Sequence, residues 1–275
     1  MSYKLTDTIL YVENLSVAYG DKVVIKDITF EEKNVVREGK ITGQTIAFVG
    51  RSGRGKSTLF RALTGLVKPS SGRILISDVT SSMNNSAKEV KEGDVGFVDQ
   101  KYTLFRNKTI HQAFMFALRK KNMKDDAKEE LINHYLTTWG LEPCKNQYPC
   151  ELSGGQRQRT AIIEQILSSD YYMILDEPFS GLDVGNIENV KEAFQLISSE
   201  HDLNTIIFST HDIELAVELA DSIYVIGYPM VDGKKANYGT IVKHIDMKKN
   251  GLSWNPFSAD HLDVVNEIKT AMLQS

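Results

Sequence analysis

The stretch "TIAFVGRSGRGKSTLFRALTGL", residues 45–66, decides the fold. It opens with an apolar run, passes through glycines and continues with helical spacing. A strand, a glycine loop and a helix in that order begin a βα unit. Within it, "GRSGRGKS", residues 50–57, satisfies G-x-x-x-x-G-K-[ST] in full. Its glycines let backbone N–H groups close around phosphate oxygens. Gly50, Arg51, Ser52, Gly53, Arg54 and Gly55 form the cradle. Lys56 is placed to reach the β- and γ-phosphates and Ser57 to hold Mg²⁺. Thr58 adds a further hydroxyl nearby. A dinucleotide fold is disfavoured, because no G-x-G-x-x-G spacing occurs here. The loop specifies a nucleotide. By itself it does not separate kinases, GTPases, motors and transport ATPases.

Downstream, "YYMILDEP", residues 171–178, reads as a buried strand ending in Asp176 and Glu177. Ligands of open α/β sheets sit at such carboxyl ends. Asp176 suits Mg²⁺, through water. Glu177 points elsewhere and can face an attacking water as general base. Two more polar residues end apolar runs: Gln100 after "VGFVD" and His211 after "TIIFST". Gln100 can ligate Mg²⁺ or water through its amide oxygen, and His211 can hydrogen-bond a γ-phosphate oxygen.

The rest of the chain fits around this core. "TILYVENLSVAYG" and "VVIKDITFEEKNVV" are β-rich runs split by Gly20–Asp21, which predicts a tight hairpin. "REGKITGQ", residues 37–44, reads as a polar turn, and an inserted hairpin or loop is expected near residues 31–44. Residues 77–94, "SDVTSSMNNSAKEVKEGD", read as a loop. Residues 109–168 read as mostly helical. Thr109 and Gln112 have capping-box spacing. Leu131, Ile132, Tyr135, Leu136 and Trp139 keep a helical period that stops at Gly140. Strands and helices alternate from residue 171 to residue 227, and a terminal helix follows Ser258.

Composition narrows the classes. Of 275 residues, 41% are hydrophobic and 25% charged, and the net charge of −4 gives no sign of a nucleic-acid surface. No apolar run approaches the ~20 residues of a membrane helix. Cys144 and Cys150 read as free thiols, since His134 alone does not complete a zinc site.

A second cradle stands in "ELSGGQRQR", residues 151–159, where Ser153, Gly154, Gly155 and Gln156 open a helix. With Tyr19 in "VAYG", the phosphate loop, Gln100 in "VDQKYTLF", "LSGGQ" shortly before "LDEP", and "STHD", the order resembles ATP-binding subunits of the ABC superfamily over residues 9–227. The resemblance implies an α/β fold: a P-loop, RecA-like core of mostly parallel strands, an antiparallel β subdomain and an inserted α-helical subdomain. The chain would form a single domain. Residues 9–100 and 166–228 would hold the β layer and core, 101–165 the helical part, and 229–275 a tail with a terminal helix.

By the same resemblance, Tyr19 stacks on adenine and Gln100 senses both Mg²⁺ and a membrane partner. Asp176 and Glu177 are the metal-associated acid and the base, Asp183 lies at a dimer interface, and His211 is a switch histidine. Residues 153–156 complete the site of ATP held by an opposite subunit. The resemblance further implies a homodimer, or a heterodimer with a related ATP-binding subunit, and MgATP as ligand. It implies separate integral membrane subunits, a cytoplasmic location on the membrane's inner face, and no nucleic acid. Importer-type ATPases of the nitrate, sulfonate or taurine group are similar in "YPCELSGGQRQR" and "STHDIELAVELAD". Two departures stand out: the long run before the phosphate loop, and Glu164–Gln165 where many relatives have "ARAL". A soluble ABC-type switch protein of assembly or repair and a non-hydrolysing nucleotide-binding module are the other readings. The long coiled coils of repair relatives and the paired cassettes of translation-factor relatives are not found in this sequence.

Overall fold

The computed structural model describes residues 3–37, 42–77, 87–169, 171–181, 184–253, 255 and 257–275. Two sheets carry the fold. The central one contains β3 (Gln44–Val49), β6 (Gly96–Val98), β7 (Tyr172–Leu175), β8 (Thr205–Thr210), β9 (Ser222–Gly227) and β12 (Thr240–Asp246), in the order β12-β9-β3-β8-β7-β6. Its strands run parallel except β12, which pairs antiparallel with β9. The other sheet is antiparallel, in the order β2-β1-β4-β5, from β1 (Tyr3–Tyr19), β2 (Lys22–Arg37), β4 (Ser71–Ser77) and β5 (Ala87–Glu89).

The central strands are buried on both faces, which is why they read as unbroken apolar runs. Side chains still alternate between faces. On β3, Ile46 and Phe48 join a core shared with the antiparallel sheet and with α1 (Lys56–Leu63). Ala47 and Val49 join the opposite core, beneath the helices. That second core takes residues from α2 (Ile110–Ala117), α3 (Asp125–Thr138), α4 (Gly154–Ser168), α5 (Val184–Glu200), α6 (Ile213–Leu219) and α7 (Ala259–Gln274). The α1 helix is held between the sheets by Leu59, Phe60 and Leu63, and Phe48 and Phe60 meet edge to face at 5.6 Å.

Local signals explain the helix ends. Thr109 Oγ1 accepts from Gln112 N and Gln112 Oε1 accepts from Thr109 N, closing the expected box at the start of α2. The α3 helix ends at Thr138, with Gly140 at φ 63 just beyond it. Ser258 precedes α7, and its N–H donates to His261 Nδ1 at 3.1 Å.

Three expectations are corrected. Residues 31–37 do not form a separate hairpin or loop. They lengthen β2, which pairs with β1 as far as Tyr3 opposite Arg37; residues 38–41 lie outside the described ones. The physical reason is a buried anchor: Arg37 pairs with Asp221, whose other oxygen accepts from Thr45 N at 2.9 Å. Part of the expected loop at 77–94 is strand, since β5 pairs with β4; residues 78–86 lie outside the described ones. The tail adds strand structure as well as a helix: β12 extends the central sheet beyond β9, and β10 (Met230–Val231) pairs with β11 (Lys234–Lys235). Cys144 and Cys150 are both free, as expected.

Candidate functional site

Strand order builds the site. The phosphate loop follows β3, His211 follows β8, Asp176 and Glu177 follow β7, and Gln100 lies just past β6. These strands are parallel and consecutive across the sheet, so their carboxyl ends open on one edge. A cleft of about 680 Å³ lies there, lined by Ser52 to Thr58 of the loop with Gln100, Glu177, Ser180 and His211.

The loop backbone needs glycine where it turns. Gly55 has φ +97, and a Cβ there would stand 2.5 Å from Ile25 Cγ2. Gly50 packs against β9, where a Cβ would meet Ile226 O at 2.4 Å. Gly55 is also the N-cap of α1, and no side chain caps that helix. Its first N–H groups are therefore left to a ligand, and the helix dipole favours an anion. Lys56 is buried, and its Nζ donates to Gly50 O at 2.7 Å and stands 3.2 Å from Glu177 Oε1.

Glu177 is the hub. Its other carboxylate oxygen lies 2.9 Å from His211 Nδ1. Its φ of 52 is left-handed, sparsely populated for a side-chain-bearing residue. That twist breaks strand alternation and turns Glu177 towards Lys56 while Asp176 stays buried. Ser209 fixes both neighbours: its Oγ donates to Asp176 Oδ1 at 2.6 Å and accepts from Glu177 N at 2.9 Å. Gln100 Nε2 donates to Ser180 Oγ at 3.0 Å, an arrangement that turns its amide oxygen to other partners.

The second cradle lies apart from this cleft. Ser153 is the N-cap of α4 and closes its own box: Ser153 Oγ accepts from Gln156 N, and Gln156 Oε1 accepts from Ser153 N at 2.8 Å. None of residues 153–156 lines the cleft. The α4 helix is nevertheless tied to the Glu177 loop, because Gln158 Nε2 and Tyr102 Oη both donate to Pro178 O at 2.9 Å. Tyr19 is exposed beside the Gly20–Asp21 turn and is not among the cleft residues. Asp183 lies outside the described residues.

Sequence reasoning missed Ser180, Ser209 and Tyr228. A serine inside the apolar run of β8 was a readable signal for Ser209, one step past the Leu175–Phe208 pair. Nothing local marks Tyr228, whose hydroxyl donates to Gly53 O at 3.1 Å.

Two oxygen donors lining the cleft suit a hard cation, the Ser57 hydroxyl and the Gln100 amide oxygen, while the Asp176 carboxylate is buried at the end of β7 and does not line the cleft. No group of three or more His, Cys, Asp or Glu among the described residues could hold a metal by itself. Among the described residues no helix is long and apolar enough to cross a membrane.

Comparison with known proteins identifies the family. The family model described as ABC transporter matches residues 40–180. The sulfate/thiosulfate import ATP-binding protein CysA of Synechocystis is 36% identical over 231 residues, covering 84% of this chain and 60% of that protein. This chain thus spans less than two thirds of the length of that relative. The probable sulfate/thiosulfate import ATP-binding protein CysA of Chlorella vulgaris is 32% identical, over 79% of this chain and 86% of that one. Among solved structures, cbiO1 of Clostridium perfringens, part of the ABC transporter complex cbiONQ, superposes with a TM-score of 0.71 at 26% identity, covering 98% and 99% of the two chains. A family match reaching from the approach to the phosphate loop through Glu177, with relatives aligned over most of this chain, places it in the ABC transporter family.

Proposed function

We propose that this chain is the ATP-binding and ATP-hydrolysing subunit of an ABC transporter, driving separate membrane subunits. The observation that carries the reading is the convergence of the uncapped α1 start, Lys56, Glu177, His211 and Gln100 on one cleft. The α1 N–H groups and Lys56 bind the β- and γ-phosphates. Ser57, Gln100 and Asp176 hold Mg²⁺, which supplies charge neutralisation on the phosphate oxygens. Glu177 orients and deprotonates the attacking water, and His211 holds Glu177 in place while facing the γ-phosphate. Lys56 bridges Glu177 in the structure and exchanges that contact for phosphate when ATP enters.

Ser153 to Gln156 serve the ATP of an opposite subunit, an identical copy or a related ATP-binding chain. Their position outside the cis cleft supports this. Tyr19 stacks on adenine and Asp183 lines the subunit contact. Closure around two ATP molecules pushes on the membrane subunits, and hydrolysis reopens the pair. The relatives' names speak for import, and for sulfate or thiosulfate rather than nitrate, sulfonate or taurine as the cargo class. The chain works at the cytoplasmic face of the membrane, held there by its partners.

The test is MgATP hydrolysis by the purified protein, alone and with its membrane partner. Glu177→Gln lowers turnover by roughly 10²–10⁴, the range of a positioned general base, and keeps ATP binding. Turnover at the parental rate in that variant would refute the role of Glu177.

A further inference from the structure

The segment after β9 lies against the back of the phosphate loop. Tyr228, the first residue beyond β9, donates its hydroxyl to Gly53 O at 3.1 Å. The Arg54 guanidinium lies over the Tyr228 ring, 3.8 Å from its centre. Eleven residues on, the chain returns. Gly239 N donates to Val24 O at 2.8 Å, and Gly239 O accepts from Lys26 N at 3.0 Å. Gly239 is thereby fixed on β2 and buried. A Cβ built on it would stand 2.0 Å from Arg54 O and 3.1 Å from the carbon of that carbonyl. The difference is nearly a full C=O length of about 1.23 Å, so the Arg54 carbonyl points straight at Gly239.

Peptide planarity turns these contacts into a statement about the cleft. In a trans peptide the C=O and the following N–H point in opposite directions. Holding Gly53 O at Tyr228 aims the Arg54 N–H the other way. Seating Arg54 O against Gly239 aims the Gly55 N–H the other way. Both residues line the cleft, and neither N–H has a hydrogen-bond partner among the described residues. Gly53, at φ 78, and Gly55 flank the two peptides and by themselves leave them free to rotate.

We propose that Tyr228 and Gly239 are positioning residues for phosphate binding. They hold two consecutive loop carbonyls outward so that the Arg54 and Gly55 N–H groups face the nucleotide phosphates. This rests on the ATP-binding reading above. The stack of Arg54 on Tyr228 keeps the phenol in register, and it also draws the cationic side chain of Arg54 to the outer side of the loop. Phosphate binding in this chain then depends on residues more than 170 positions beyond the motif.

The experiment is calorimetric titration of ATP into the full chain and its variants. It is joined to thermal unfolding and to amide NMR of ¹⁵N-labelled protein with and without MgATP. Tyr228→Phe keeps the ring and removes the hydroxyl. It should weaken ATP binding roughly 2- to 10-fold, the worth of one net hydrogen bond, with the variant still fully folded at the titration temperature. It should also reduce the MgATP-induced shifts of the Arg54 and Gly55 amides. Gly239→Ala forces the Arg54 carbonyl to move and should weaken binding more than Tyr228→Phe does. If Gly239→Ala does not fold, Tyr228→Phe decides alone. A parent protein that fails to bind ATP would remove the functional reading and this inference with it. A parent that binds, with Tyr228→Phe equally tight, overturns this inference only. So does a weakened Tyr228→Phe whose two amide shifts at saturation match the parent's, since Tyr228 would then serve the fold alone.

Discussion

The molecule carries two glycine-rich helix starts, and they are finished in opposite ways. At α1 the N-cap is Gly55 at φ 97, no side chain caps the helix, and the next residue, Lys56, is buried. The loop before it is wedged against Ile226, Ile25 and Gly239. At α4 the N-cap is Ser153, the helix caps itself through Gln156, and a Cβ on Gly154 would meet nothing within 4 Å. A helix start whose donors are left open in a rigid cradle binds an anion unaided. One that satisfies part of its donors, on an open surface, has less to offer by itself and gains when a ligand is presented already bound. This contrast supports the proposed division, with affinity assigned to the first start and completion of a partner's site to the second. In the proposed function this pairing would make ATP the link between two ATP-binding subunits.

The sharpest way to break that division is Ser153→Arg. A bulky cation at the open cap obstructs an approaching subunit and leaves the cis cleft untouched, because Ser153 does not line it. ATP binding by the monomer should stay within about twofold of the parent. ATP-dependent dimerisation, followed by light scattering, should disappear. Turnover should fall by 10²–10³, on the order of losing a transition-state donor. Full turnover with Arg at this position would mean that α4 has no part in hydrolysis.

Lys56→Ala is the complementary cut, with a smaller effect on a different quantity. It removes a buried cation that holds Gly50 O and meets Glu177. ATP affinity of the monomer should fall roughly 10- to 100-fold, the worth of one or two charge-assisted hydrogen bonds. Equal losses of affinity in Ser153→Arg and Lys56→Ala would erase the distinction between the two starts.

What could be read from the sequence, and what could not, follows from distance along the chain. The phosphate loop, Gln100, Glu177 and His211 were legible because each is a polar break at the end of an apolar run. The cleft forms because those runs become neighbouring parallel strands, an order that no local pattern states. The β2 extension was misread for a definite reason. Its inward positions Glu32 and Asn34 are polar, so the strand pattern dissolves there. Both are buried; Glu32 accepts from Tyr224 Oη at 2.7 Å, 192 positions away, and the strand's last residue, Arg37, pairs with Asp221, while Asn34 Oδ1 has no hydrogen-bond partner among the described residues. Such partners pay for burial of polar groups without leaving a local trace. Tyr228 was invisible in the same way, since its role exists only through Gly53.

The smallest test concerns the helix that carries the second cradle. In the C-terminal half of α4, burial pushes the Glu164 carboxyl up to about 7, with Arg119 acting in the opposite direction. The unfolded chain releases this proton near the ordinary carboxylate value, so between about 4.5 and 7 the folded state binds more protons than the unfolded one. Stability contributed by this position therefore falls as pH rises through that window. Above it, folding holds a desolvated carboxylate. Glu164→Gln removes the ionisation and should raise the unfolding midpoint at pH 8 relative to the parent, with the gain shrinking as the pH falls to 5. A gain of equal size at both pH values would show that Glu164 does not titrate differently in the folded chain. If the gain follows pH, α4 carries a titratable group in its own turns.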